Sequence, residues 1–148
     1  MANKIVRLDN MSGNLDRSQV KSARYYKDGA KAEVENGVIV AIGALEEGER
    51  EIHKVVDVTD KDVFVGIITT PEVIYDQRVI GDGDLANFKN EEGDTIRVHV
   101  LHEGDIFSIA NLDSASDLAC GAKLVAKHIQ TERVGRYTYE CFEVQAKA

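Results

Sequence analysis

His99 and His102 stand beside Glu103 and Asp105. Imidazole nitrogens with carboxylate oxygens are the donors of a divalent metal centre. The spacing works against that chemistry. His99 falls in a segment that alternates like a strand, and strand positions three apart face opposite ways, so a chelate would need a bulge or a turn between them. The residues read instead as an exposed strand histidine followed by a turn histidine, with no metal bound.

Other chemical signals are partial. Asp82, Asp84, Glu91 and Glu92 offer oxygen ligands for calcium, but the alternation required of an EF-hand loop fails after Gly81-Asp82-Gly83-Asp84. A turn followed by a helix cap at Asp84 accounts for the same residues. Gly121-Ala122-Lys123 sets glycine before lysine without the remaining P-loop positions. The chain has neither a Gly-x-Gly-x-x-Gly segment after a strand nor a Gly-x-Ser-x-Gly elbow. Cys120 and Cys141 are its two cysteines. Cys141 shares a predicted strand face with Tyr139 and reads as core rather than nucleophile; both thiols are expected free and mostly buried, as in a reducing cytoplasm. The expectation is a protein that is not an enzyme, with no catalytic residue and no cofactor.

Charge is the more informative signal. The chain carries a formal net charge of −8 and no tryptophan. Such a chain is poorly suited to gripping nucleic acid or an anionic membrane over a broad surface. Yet residues 1–31 hold seven basic side chains against three acidic ones. A basic leader on an acidic body reads as an arm for an acidic partner, or as a solvated terminus. The candidate partner-binding residues are Lys4, Arg7, Arg17, Lys21, Arg24 and Lys27. Tyr25 and Tyr26 are the adjacent aromatic pair that would anchor the leader on its own body or on a partner.

These side chains need a scaffold. At 148 residues, 43% hydrophobic and 30% charged, the chain is sized for one core. Neither of the longer uncharged stretches, 36–45 and 63–71, approaches the roughly 20 apolar residues of a bilayer span, and the first ten residues lack the apolar run of a secretory signal. Residues 1–24 have few apolar anchors and read as an extended N-terminal arm, with residues 25–148 forming a β-rich domain. Deleting the arm should then leave the body folded.

Within that domain, Asn36-Gly37 predicts a type I′ hairpin turn. The apolar run 38–42 that follows suits a strand buried on both faces. Residues 43–51 read as a loop, 55–58 and 63–68 as strands, and Pro71 as the stop after them. Asp84 should cap one short helix through Leu85, Ala86 and Phe88. Thr95-Ile96-Arg97-Val98-His99-Val100-Leu101 alternates, with Ile96, Val98 and Val100 toward the core and Thr95, Arg97 and His99 on a wetter face. Residues 111–120 suggest a helical turn, and 123–129 with 137–144 a closing strand pair around Gly135. The fold class is mainly β: a single small β-barrel or sandwich with an extended N-terminal arm and one short helix.

Two stretches carry a resemblance. One runs from Tyr25-Tyr26-Lys27-Asp28-Gly29 to Asn36-Gly37-Val38-Ile39-Val40-Ala41-Ile42-Gly43. The other is residues 95–101, then Glu103-Gly104-Asp105-Ile106-Phe107-Ser108-Ile109 and Gly121-Ala122-Lys123-Leu124-Val125. This pattern of strands and Gly-Asp turns resembles the decoration, or auxiliary capsid, proteins on the heads of tailed bacteriophages. The resemblance implies a structural virion protein, made in the bacterial host cytoplasm and carried on the capsid exterior. It implies a homo-oligomer, a trimer by preference, whose N-terminal segment reaches the major capsid protein, and it transfers no catalytic residue. The segment 82–92 departs from the pattern. Two alternatives stay open: another virion component such as a head-fibre or tail attachment protein, and a metal-binding barrel similar to the cupins, although the cupin His-x-His arrangement is missing.

Overall fold

Short β-branched runs split by glycine turns leave the backbone little but sheet. The computed structural model describes residues 2–59, 62, 64–73, 84–112 and 124–146. Among these it forms the strands β1 (Ile5–Asn10), β2 (Val20–Lys27), β3 (Ala30–Lys31), β4 (Ile39–Leu45), β5 (Ile52–Asp57), β6 (Val65–Ile68), β7 (Ile96–Val100), β8 (Ile106–Ala110), β9 (Leu124–Val134) and β10 (Tyr137–Ala146). The fold is mainly β, as expected.

Five strands close a barrel in the order β2-β5-β4-β6-β7, with β7 returning to β2. The β2–β5 pairing is parallel and the other four are antiparallel. A second antiparallel sheet, β1-β8-β10-β9, packs on the barrel. The barrel interior holds Ala23, Val40, Val55, Ile68, Ile96 and Val98. Between barrel and sheet lies a second layer that includes Met11, Val65, Ile67, Phe107, Ile109 and Phe142, in which the Phe107 and Phe142 rings stack with centroids 5.9 Å apart. This layering explains the two-sided apolar run in β4: Val40 and Ile42 face the interior while Ile39 packs against the second layer. Gly66 in β6 lies where a side chain would run into Val98 and, at 2.8 Å, the His99 carbonyl, so the barrel wall closes tightly only without a Cβ there.

Some expectations are corrected. Asn36-Gly37 does not make a hairpin. Asn36 stays at negative φ while Gly37 takes φ +82, and β4 pairs with β5 and β6 instead. Buried Asn36 accepts from the Thr70 amide at 3.2 Å and donates to the Thr70 carbonyl at 2.7 Å, which fastens the barrel end. A tight hairpin forms instead at β2–β3, where Asp28 and Gly29 both take positive φ (51 and 83). The short helix at Asp84 is a single 3-10 turn, Leu85–Asn87, capped as expected by Asp84 accepting from Ala86 N. The loop expected from residue 43 starts later, because β4 continues to Leu45.

Tyr25 is no boundary, since β2 runs across it. Residues of the expected arm are extended, but they are built into both sheets: Ile5 and Met11 are core, and Val20, Lys21, Ser22 and Ala23 close the barrel against β7. The apolar anchors were few yet sufficient. Asp82, Cys120, Gly121 to Lys123 and most of the helical turn expected at 111–120 lie outside the described residues.

Candidate interaction surface

The two histidines end in different places. His99 is buried, not exposed, because the 3-10 turn Ser12–Asn14 covers it: a Cβ on Gly13 would stand 2.6 Å from His99 Cδ2. Its Nδ1 meets Thr69 Oγ1 at 2.5 Å, and burial, with help from nearby Arg97, lowers its pKa. His102 lies outside, with Nε2 2.6 Å from Gln19 Oε1. No group of three or more His, Cys, Asp or Glu able to hold a metal occurs among the described residues. Asp84 is occupied as a cap and as a partner of Tyr137 and Arg136. Those hydrogen bonds, the Tyr137 one foremost, lower its pKa.

Most of the basic leader is neutralised within the molecule. Lys4 pairs with Glu35 at 3.7 Å. Arg7, on the outer face of the second sheet, pairs with Asp9 at 2.8 Å and Glu132 at 2.5 Å and lies over the Tyr139 ring. Beneath it Ser108 Oγ lies 2.9 Å from Cys141 Sγ, both buried. On the barrel wall Glu46 gathers Arg24, Lys31 at 3.1 Å and the Tyr26 hydroxyl at 2.6 Å. The hydrogen bonds from Tyr26 and Lys31 lead in holding its carboxyl down at about 2. Tyr25 is buried and donates to Asp57 at 2.7 Å; burial is the main reason its pKa is raised. Both tyrosines thus anchor on their own body. A shallow groove of about 240 Å³ beside Lys4 and Lys89 is charge-compensated by Glu35 and Glu33.

What the leader presents outward is the loop between β1 and β2. Asp105, buried, accepts from Ser12 N at 2.9 Å and from Ser12 Oγ at 3.3 Å. Asp16 caps the second 3-10 turn, Arg17–Gln19, by accepting from Ser18 N at 2.9 Å. Between these two fixed points Leu15 is 95% exposed, and Arg17 beside it is exposed as well. A single exposed leucine is ordinary; one held at the apex of a loop pinned on both sides is preorganised for contact. Lys21 is half-buried and Lys27 exposed at the end of β2. Sequence reasoning found the cations but missed Leu15, whose signal is an apolar residue isolated in the polar run 12–19.

Comparison with known proteins adds a family. Residues 7–134 match the family model described as YonC prophage protein. No curated protein and no solved structure matches the chain. The match spans most of the sequence, and the chain belongs to this prophage protein family.

Proposed function

We propose that this member of a prophage protein family is a structural virion protein that binds the outside of a tailed-phage capsid, contacts the major capsid protein and stabilises the shell. It is made in the bacterial host cytoplasm and acts by surface complementarity rather than by turning over a substrate. A protein that binds only the assembled shell stabilises it by its binding free energy, and repeated copies add avidity. Such a role requires a rigid body and a preorganised contact.

The observation that carries the reading is the clamped loop of the N-terminal segment, with Leu15 at its apex and Arg17 exposed beside it. The prophage family supports a phage context. The contact is then a short fixed loop, and not the long tethered arm that the sequence suggested.

The test is to induce the parent prophage, purify particles on a density gradient and locate the protein by immunogold electron microscopy. Label on heads is expected. Leu15→Asp should cut head occupancy by about ten-fold or more, the usual scale for losing an apolar anchor at an interface, with an unchanged circular dichroism spectrum. Absence from particles, label on tails or fibres, or full occupancy by the variant would overturn the proposal.

A further inference from the structure

β9 is the longest strand of the second sheet, at eleven residues, and among the described residues it pairs only with β10. Every side chain from 127 to 134 is exposed, with Ile129 at 45% and Val134 at 46%. A free edge of this length offers a row of unpaired backbone groups to another strand. Charges and a bulge are the usual protections of such an edge, and β9 has both: Lys127, Glu132 and Arg133, and a break in register where Cys141 pairs with Gln130 but Phe142 with His128.

Those features complement one another. Ile129 is the extra residue of the bulge, so the alternation of β9 slips by one place across it. Lys127 is opposite Glu143 and Glu132 is opposite Tyr139, two positions on one face of β10; Val125 and Val134, opposite Gln145 and Tyr137, share that face. His128 and Thr131, opposite Phe142 and Glu140, share the other.

We infer that β9 pairs antiparallel with β9 of a second copy, about a two-fold axis between Ile129 and Gln130, and so joins two four-stranded sheets into one of eight. That axis sets Lys127 against Glu132 of the second copy, Val125 against Val134 and His128 against Thr131, each pair occurring twice and each on a common face. A slip of one residue sets side chains from opposite faces against each other. A slip of two sets Glu132 against Ile129 or Val125 and leaves the charges unmatched. The other edge of the sheet, β1, is a poorer partner: it has six residues, and the amides leading into it are already bonded, Asn3 to the Ala86 carbonyl and Lys4 to Glu35. The pairing is two-fold, in place of the trimer implied by the resemblance, and does not depend on the capsid reading.

Sedimentation velocity on the full chain tests this. The unaltered protein should show a monomer–dimer equilibrium. Lys127→Glu and Glu132→Lys each set like charges opposite one another twice, and each alone should weaken self-association by about ten-fold or more. Mixed together, the two variants restore opposite charges at both contacts and should associate with each other at least ten-fold, or about 1.4 kcal/mol, better than either does with itself. Loss of Arg7 as a partner of Glu132 would not produce that cross-preference. A protein that stays monomeric, self-association unmoved by either variant, or mixtures without preference would overturn the inference.

Discussion

Ser12 gives its backbone N–H to Oδ1 of Asp105 at 2.9 Å, while Oδ2 of the same carboxylate takes the His102 N–H, also at 2.9 Å. One buried carboxylate therefore ties the loop before β2 to the turn before β8. Asp105→Ala would leave two amides and the Ser12 hydroxyl without their acceptor. The expected cost is about 2–4 kcal/mol by urea denaturation, with faster tryptic cleavage at Arg17. Asp105→Asn, which keeps one acceptor, should cost less than half of that. Equal stability of Asp105→Ala and the parent would mean that the clamp contributes nothing.

His99 makes stability depend on pH. Its pKa is lowered from an ordinary value of 6.5, chiefly because burial disfavours the charged ring. In the window below 6.5 the unfolded chain binds the proton and the folded chain resists it. Stability is therefore full above that value, falls as the pH drops below it, and levels off once the folded-state pKa is passed. Denaturant midpoints measured between pH 7.5 and 5 should decline for the parent and flatten for His99→Gln. Parallel profiles would show that another group titrates.

Two glycines separate crowding from strain. At Gly66 an added methyl meets Val98 and the His99 carbonyl, a backbone atom that cannot swing away. Gly66→Ala should cost about 1–3 kcal/mol or more, the range for overpacking a filled core. At Gly29, φ is +83 and nothing lies within 4 Å of where a Cβ would stand. Gly29→Ala should therefore cost only the left-handed backbone penalty, about 1–2 kcal/mol, and should be repaired by Gly29→Asn, which tolerates that conformation. Thermal melts of the three variants check the order.

Arg7 roofs a buried thiol. Its guanidinium reaches Ser108 at 3.4 Å and Cys141 Sγ at 4.0 Å while spanning Asp9 and Glu132. In a Cys120→Ser background, Arg7→Ala should speed disulfide-reagent labelling of Cys141 by about ten-fold or more, because local opening sets access. Global stability should change by no more than about 1 kcal/mol, the worth of partly exposed ion pairs. An unchanged labelling rate would place the barrier elsewhere.

Local patterns carried well and distant ones did not. Period two in β7 identified Ile96, Val98 and Val100 as core, and Gly135 marked the β9–β10 turn. Asp-Gly at 28–29 was the true hairpin signal, while Asn36-Gly37 carried a stronger sequence cue whose asparagine was claimed by tertiary bonds to Thr70 and Asn90. His99 looked solvated because its cover, the turn at residues 12–14, comes from far earlier in the chain. The leader looked free for the same reason: the acidic partners Glu35, Glu46 and Glu132 are set against it by folding rather than by neighbourhood. Leu15 was legible only as an oddity, since exposure depends on what does not fold over it.

The barrel seam is sewn by residues 20–23 against residues 96–99. Removing the first 24 residues would therefore unstitch the cylinder instead of trimming a tail from it. The order of synthesis carries the same consequence. A nascent chain holds β2 with one flank open until residue 99 has emerged, and the layer beneath the second sheet lacks Phe142 and Val144 until those residues have followed. Such long-range closure makes for slow folding, because an early strand must wait for partners made much later in the chain.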